Sequence, residues 1–332
     1  MAGMDPELHS LADVLERVDE RARLGAETAY LWPTGFGILD DVLDGGLRGG
    51  NLILLAGPQG QGKTTMALQM ARNAAAAGQA VVYFCYEHDP EVLLGRLVSL
   101  EAGLRYQTQA PNQDRFRHLF EDPSPTPDGL VGRLQTLPTA TEALQAVLGY
   151  QEHFHIHRST GNTTNIKVIA EAVEQVRRAT GQSPLVVVDY LQKVKAESAN
   201  ESERAAEIVE DLKDLAIMHQ VPVLAISASD KGGLLAGKRM RAHHLRGSTA
   251  LAYECDVLLI LNSKYDIVSR QHLVYAANAE TFRQWVVLSV EKNRNGRAGL
   301  ELEFRKHFEQ NRFDPTGGLV REQLVDERLV LE

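Results

Sequence analysis

The sequence predicts an α/β protein with a mostly parallel central sheet that is flanked by helices on both faces. Short apolar runs alternate along the chain with longer segments of helical periodicity. Several of these runs are apolar throughout, which is typical of parallel strands buried on both faces. The predicted strands are 51–56, 80–85, 185–188, 221–226, 257–261 and 285–290. The predicted helices are 65–76, 91–104, 166–179 and 203–219.

Composition sets the size and the compartment of this fold. The chain has 332 residues, of which 44% are hydrophobic and 24% charged, enough for one large core and a small appendage. Its two cysteines, Cys85 and Cys255, lie in apolar stretches and are predicted to be buried thiols in a reducing compartment. No apolar run approaches the ~20 residues of a membrane span, and the first residues lack the features of a signal peptide. We therefore expect a cytoplasmic protein with no membrane partner.

The first segment is predicted to be an amphipathic helix over residues 6–22, capped at Asp5-Pro6. Its apolar residues recur at intervals of three and four: Leu8, Leu11, Leu15, Val18 and Ala22. A stripe this narrow is expected to dock, either on its own domain or on another surface. We therefore divide the chain into a linker-like amphipathic segment, 1–30, and a second domain, 31–332.

A phosphate-binding motif follows the first long apolar run. The residues Gly57-Pro58-Gln59-Gly60-Gln61-Gly62-Lys63-Thr64 fit the pattern G-x-x-x-x-G-K-[ST] and lead into a predicted helix at Thr65. Glycines let successive backbone N–H groups point at phosphates, and the helix N-terminus adds partial positive charge. Lys63 is expected to contact the β- and γ-phosphates, and the Thr64 hydroxyl to ligate Mg²⁺. The sequence therefore predicts a site for ATP and Mg²⁺ from Gly57 to Thr65.

Two carboxylates stand at strand ends, where ligands bind in open α/β sheets. Asp189 follows four apolar residues, the pattern that places a carboxylate beside the Mg²⁺ held by Thr64. Glu87 follows the strand at 80–85 and is the candidate to polarise an attacking water, with Asp89 and Glu91 as close competitors. Asp189 is therefore assigned to the metal and the nucleotide, and Glu87 to catalysis.

A basic hairpin supplies a second group of candidates. In the segment 290–296, Asn295-Gly296 predicts a hairpin turn, and strand periodicity puts Lys292 and Arg294 on one face beside it. Two cations in this position suit an arginine-finger role at the nucleotide of a neighbouring subunit. An ordinary exposed basic hairpin is the alternative.

A Gly-rich loop after the strand at 221–226 supplies a third group. It carries four cations that suit contacts to a nucleic-acid backbone, unless they form only a solvated charge run: Lys231, Lys238, Arg239 and Arg241. The net charge of −9 argues against nucleic-acid binding over the whole surface, but a local basic channel is compatible with it. A further polar segment, 107–138, contains five prolines and is predicted to be an excursion on the surface.

Taken together, these motifs resemble the RecA-like C-terminal ATPase domain of the DnaB-type replicative helicases, the hexameric helicases of superfamily 4. The resemblance covers about residues 33–313 and is most specific in Asp189-Tyr190-Leu191-Gln192 followed by Lys292-Asn293-Arg294-Asn295-Gly296. Supporting matches are Pro33-Thr34-Gly35-Phe36, Leu39-Asp40, the phosphate-binding loop, Glu87, Leu245-Arg246, Asp256-Val257 and Arg312-Phe313. We expect no counterpart of the family's N-terminal domain, and Ala228 stands where the family usually has Gln.

The resemblance implies a RecA-like P-loop NTPase that works as an ATP-dependent DNA helicase or translocase. ATP would be hydrolysed at the subunit interfaces of a homo-oligomer, expected to be a hexameric ring. By this resemblance Glu87 is the catalytic glutamate and Asp189 the aspartate of the magnesium site. Arg294 and Lys292 are the pair that acts in trans, and the N-terminal helix takes the place of a linker helix that docks on the adjacent subunit.

The resemblance also implies a path for DNA. Arg246 and the loops at 195–205 and 229–243 would face a central channel that holds single-stranded DNA. Two alternatives stay open at this point: a RecA-fold ATPase of the KaiC or RadA type that switches an assembly without unwinding DNA, and a scaffold that uses ATP only to oligomerise. The resemblance does not identify a loading or replisome partner.

Overall fold

The computed structural model describes residues 10–24, 31–198, 200–228, 238–245 and 248–327. The strands of this part of the chain are β1 (Leu31–Trp32), β2 (Leu47–Arg48), β3 (Leu52–Ala56), β4 (Val81–Cys85), β5 (Phe154–Arg158), β6 (Leu185–Asp189), β7 (Val223–Ser227), β8 (Val257–Ser263), β9 (Trp285–Asn293), β10 (Leu300–His307), β11 (Arg312–Phe313) and β12 (Gly318–Leu319). Its α-helices are α1 (Leu11–Leu24), α2 (Gly37–Val42), α3 (Lys63–Ala76), α4 (Pro90–Tyr106), α5 (Gln113–Glu121), α6 (Gly129–Leu134), α7 (Ala140–Leu148), α8 (Ile166–Thr180), α9 (Glu201–His219), α10 (Ser248–Glu254), α11 (Lys264–Ile267) and α12 (Ala276–Arg283).

The main sheet has the strand order β11-β10-β9-β8-β3-β7-β6-β4-β5, with β12 paired to β10. All pairings from β8 to β5 are parallel. Beyond β8, the strands β9 to β12 extend the sheet with antiparallel pairings. The six predicted strands are present, and the predicted α/β fold with a mostly parallel sheet is confirmed. β5 and β10 lack a continuous buried apolar run, which is why their sequences did not identify them.

Helices cover both faces of the sheet because successive residues of a strand point to opposite sides. In β3, Ile53 and Leu55 face the layer that contains α3, α4 and α7. Leu52, Leu54 and Ala56 face the layer that contains α8, α9 and α10. All residues of β3, β4, β6 and β7 are buried, so burial on both faces accounts for their apolar sequences.

The parallel strands bring the predicted catalytic groups to one edge of the sheet. β3 ends at Ala56, directly before the phosphate-binding loop, and β6 ends with Asp189. β4 ends at Cys85, two residues before Glu87. β9 is antiparallel to β8, so it carries Lys292 to the opposite edge, where it pairs with Leu258 near the start of β8.

The segment 107–138 is only partly the surface excursion that its prolines predicted. It contains α5 and α6, and these helices bury Phe116 and Leu134 against the core layer of α4 and α7. The three prolines between the helices, at positions 123, 125 and 127, do interrupt the helical structure. The prediction missed these helices because their buried faces are short and surrounded by polar residues.

The N-terminal helix is present over the described residues, although it extends to Leu24 rather than 22. The first part of the predicted helix, including Leu8, lies outside the described residues. Along α1 the apolar stripe is open to solvent, with Leu11 87%, Leu15 70% and Val18 48% exposed. The stripe therefore does not pack on the described part of its own domain. None of the described helices combines the length and apolarity needed to cross a membrane.

Candidate functional site

The loop between β3 and α3 is shaped by glycines that have no substitute. Gly57 and Gly62 have positive φ angles of 155° and 88°, a region that residues with a Cβ rarely enter. A Cβ on Gly57 would lie 2.5 Å from the Leu261 carbonyl oxygen, and a Cβ on Gly62 would lie 2.6 Å from the Phe308 ring. The backbone therefore curls tightly enough to form a cradle for phosphates at the N-terminus of α3.

Lys63 places its ammonium group inside this loop. The Nζ atom donates hydrogen bonds to the carbonyl oxygens of Gly57 at 2.8 Å and Pro58 at 3.0 Å. Burial lowers the pKa of Lys63, while the negative charges of Asp189 and Glu87 act in the opposite direction. The lysine thus presents a partly desolvated cation between the loop and the two predicted carboxylates, where it suits the β- and γ-phosphates of a nucleotide.

Asp189 lies beside Thr64, as the sequence predicted. It is 1% exposed, and its two carboxylate oxygens accept hydrogen bonds from Thr64 Oγ1 at 3.3 Å and from the Tyr83 hydroxyl at 2.9 Å. Burial raises the pKa of Asp189, and the hydrogen bonds from Tyr83 and Thr64 oppose that rise. A hydroxyl and a carboxylate at this separation are hard oxygen ligands that fit Mg²⁺, which usually keeps several waters besides one or two protein ligands.

These groups line one cavity of about 570 Å³. Its walls include Gln59, Gly60, Gly62, Lys63, Thr64, Thr65, Glu87, His88, Arg96, Gln113, Asp189, Tyr190, Ala228, Phe308 and Asn311. Glu87 faces this cavity, whereas Asp89 forms an ion pair with Arg158 at 2.7 Å and is not among its lining residues. The geometry therefore favours Glu87 over Asp89 as the group closest to an attacking water.

Sequence reasoning missed several residues of this cavity and its support. Tyr83 is buried within β4, and Phe308 packs against Phe313 at 5.4 Å beneath Gly62. Arg96 projects from α4 into the cavity, and its positive charge counteracts the burial that raises the pKa of Asp189. The only signal for Arg96 was its position two turns into the helix that follows Glu87.

The predicted finger pair lies at the opposite edge of the sheet. Lys292 Nζ donates to the carbonyl oxygens of Ala252 and Tyr253, both at 2.8 Å. Arg294 donates to the same Tyr253 oxygen at 2.8 Å and to Asp256 at 3.3 Å. The five residues of β3 separate this edge from the phosphate-binding loop by about 16 Å, at ~3.3 Å per residue. Neither cation reaches the cavity of its own chain.

The structure corrects part of the predicted DNA-binding group. Lys231 and Arg246 lie outside the described residues. Arg239 is 4% exposed, and its guanidinium is paired with Glu301 and donates to Ser289 Oγ at 3.0 Å. Because burial and pairing use its donors within the fold, the assignment of Arg239 to DNA is wrong.

The two neighbouring cations differ in how firmly they are paired. Arg241 forms ion pairs with Glu291 and Asp326, both at 2.9 Å, and these acids raise the pKa of Arg241 against the effect of burial. Its charge is largely balanced by these carboxylates, which also makes it a poor DNA contact. Lys238 pairs with Glu327 at 3.4 Å in an exposed position. Such surface pairs are weak, so Lys238 stays available.

Comparison with known proteins places this site in a family. The DnaB-like helicase C terminal domain model matches residues 32–120 and 131–314. The chain is 31% identical to the replicative DNA helicase DnaB of Rhodothermus marinus, over 82% of this chain and 27% of that protein. It is 27% identical to the DnaB helicase of Haemophilus influenzae, over 92% of this chain and 60% of that protein. The chain thus spans between a quarter and three fifths of these relatives.

Solved structures agree on the fold. One of them, a separately solved ATPase domain, superimposes with a TM-score of 0.72 at 22% identity and covers 92% of this chain and 99% of that one. A DnaB-like replicative helicase whose structure was described together with its interactions with primase gives a TM-score of 0.67 at 22% identity, over 94% of this chain and 68% of that one. With the family model matching most of its length, the chain belongs to the DnaB-like helicase C-terminal domain family.

Proposed function

We propose that this protein is an ATP-dependent DNA helicase or translocase of the DnaB type. The observation that carries the proposal is the cavity in which Lys63, Thr64, Glu87 and Asp189 converge at the carboxyl edge of the sheet. In a member of this family, such a cavity supports nucleotide hydrolysis that drives movement along DNA. The KaiC or RadA type of function is not favoured, because the family match covers most of the chain.

Within the cavity each group has a distinct role. The loop N–H groups and Lys63 bind the phosphates, and the Thr64 hydroxyl and Asp189 carboxylate hold Mg²⁺, which supplies charge neutralisation at the phosphates. Glu87 orients a water and accepts its proton as that water attacks the γ-phosphate. Phe308 and Asn311 form the outer wall and limit the entry of bulk water.

The site is completed by a second copy of the chain. Arg294 and Lys292 lie at the opposite edge from their own cavity, and the Arg294 side chain is 45% exposed. A ring that repeats one interface brings this edge of one subunit to the cavity of the next. We propose that Arg294 and Lys292 then stabilise the negative charge of the transferring phosphate, in a homo-oligomer that we take to be a hexameric ring.

Single-stranded DNA is the proposed substrate of the ring. Of the contacts predicted from sequence, we retain Lys231, Lys238 and Arg246 and remove Arg239 and Arg241, which pair with carboxylates. The retained cations would neutralise backbone phosphates, so affinity is expected to fall steeply as salt rises. Neutralising all three should weaken binding about equally for different sequences and flatten the salt dependence.

The experiment that tests the proposal measures ATP hydrolysis with and without single-stranded DNA. Glu87→Gln should retain nucleotide binding and lose about 10²–10⁴-fold in kcat, the usual contribution of a general base. Asp89→Asn is the matched control and should leave kcat within about twofold, because this carboxylate pairs with Arg158 instead.

A forked duplex with a labelled strand provides the second measurement. Hydrolysis that DNA stimulates, together with strand displacement, supports helicase activity. Hydrolysis that ignores DNA and releases no strand would contradict the proposal, even if the Glu87 assignment holds.

A further inference from the structure

Asp256 joins the proposed finger to the strand that leads into the phosphate-binding loop. It precedes β8 and is 5% exposed. Its backbone N–H donates to the Leu52 carbonyl oxygen at 2.9 Å, and its Oδ2 atom accepts from the Leu52 N–H at 2.8 Å. Leu52 is the first residue of β3, so Asp256 is bonded twice to the start of the strand that ends at the loop.

The same carboxylate also holds Arg294. Its Oδ1 atom accepts from Arg294 Nη1 at 3.3 Å, and the Asp256 carbonyl oxygen accepts from the Arg294 backbone N–H at 2.9 Å. A guanidinium carries five N–H donors, and these contacts together with the Tyr253 carbonyl engage its two terminal nitrogens on one side. The exposed side keeps donors free for an anion.

Lys213 balances the remaining charge of the carboxylate. Its Nζ atom lies 2.7 Å from Asp256 Oδ2 and 2.8 Å from the Gly50 carbonyl oxygen. Two cations therefore share one buried carboxylate, one oxygen each. Lys213 is anchored to the segment before β3, whereas Arg294 points outward.

We infer that Asp256 is a positioning residue for Arg294, an inference that rests on the proposed role of Arg294 at a neighbouring subunit's nucleotide. The carboxylate fixes the guanidinium before the neighbour arrives and ties it to β3 of its own subunit. All five residues of β3 are buried and the strand is hydrogen-bonded on both sides, so β3 is a stiff connection. The position of the finger is thereby referenced to the phosphate-binding loop of the same chain.

A double-mutant cycle on the full chain tests this inference. The variants are Asp256→Asn, Arg294→Ala and the double variant, with kcat and KM measured for ATP. Asp256→Asn keeps the shape of the side chain and should lower kcat about tenfold at nearly constant KM, because misplaced catalytic groups cost one to two orders of magnitude. In the Arg294→Ala background the same change should have less than about a twofold effect, since its target is gone.

Lys213→Met is the matched control, because it removes the other cation of the same carboxylate and leaves the Arg294 contact in place. It should keep kcat within about twofold, while its melting temperature reports any loss of stability. If Asp256→Asn does not fold, Asp256→Glu enters the same cycle, since it retains the charge and displaces it by one methylene.

The outcomes separate the inference from the proposed function. An equal loss of kcat from Asp256→Asn in both backgrounds overturns the inference, because the carboxylate then acts through the fold alone. Full activity of Asp256→Asn, with Arg294→Ala inactive, also overturns it and leaves the finger intact. Wild-type turnover by Arg294→Ala removes the finger itself, and with it the proposed trans role.

Discussion

The hydrogen bond from Tyr83 to Asp189 provides a sharp test of the proposed magnesium site. The Tyr83 hydroxyl donates to Oδ2 of Asp189 at 2.9 Å, while the Thr64 hydroxyl lies 3.3 Å from Oδ1. Burial raises the pKa of Asp189, and both hydroxyls oppose that rise. Tyr83→Phe removes one of these bonds and leaves the ring in its buried position, so the pKa of Asp189 should rise further.

The size of the effect follows from the charge of the acceptor. A hydrogen bond to a charged group contributes about 1.5–3 kcal/mol. At ~1.4 kcal/mol per tenfold change, losing it should raise the proton affinity of Asp189 roughly ten- to hundredfold. The protonated carboxyl does not bind Mg²⁺, so the acidic limb of the activity profile should move to higher pH. Above that limb the carboxylate is ionised in both proteins, and their activities should converge.

The assay is kcat/KM for ATP as a function of pH at a fixed, subsaturating Mg²⁺ concentration. Tyr86→Phe is the matched control, because its hydroxyl donates to the Thr164 carbonyl at 3.5 Å and does not contact Asp189. A melting curve for each variant checks that the fold is intact. An acidic limb that stays in place in folded Tyr83→Phe would refute the assignment of Asp189 to the metal.

Three further predictions concern other parts of the molecule. Mixing Lys63→Ala with Arg294→Ala protein should restore part of the ATPase activity, because some interfaces then combine an intact loop with an intact finger; no recovery in proven mixed oligomers would contradict a trans site. Deleting residues 1–24 should leave the melting temperature unchanged, because the α1 stripe is exposed, but should weaken assembly with a second copy, as measured by light scattering with ATP and Mg²⁺. Arg239→Met should lower the free energy of unfolding by about 3 kcal/mol, because it strands Glu301, while Lys238→Met should change it by less than about 0.5 kcal/mol in urea titrations.

Local sequence was sufficient where the chemistry lies within a few consecutive residues. The phosphate-binding loop needs glycines at positions of positive φ, and Gly57 and Gly62 adopt such angles. Asp189 follows its strand directly, so the parallel sheet brings it to the loop without further information. The strands buried on both faces were equally legible, because their environment demands apolar residues at every position.

Charge alone did not reveal which cations are available for a ligand. Arg239 and Lys238 are neighbours in a basic loop, yet one is buried against Glu301 and the other lies at the surface beside Glu327. Their partners are about 60 and 90 residues away in sequence, and only the sheet brings them together. The helices α5 and α6 were missed for the same reason, since the contacts that stabilise them lie on α4 and α7.

The sequence by itself determined the fold class, the phosphate-binding loop and the identities of Lys63, Thr64 and Asp189, because each depends on a short pattern with one favourable geometry. Only the tertiary structure decided the rest. It selected Glu87 over Asp89, brought Tyr83 to Asp189, and placed Arg294 at the far edge of the sheet from its own cavity. These outcomes depend on strand order and direction, which arise from packing over the whole domain and leave no local trace in the residues involved.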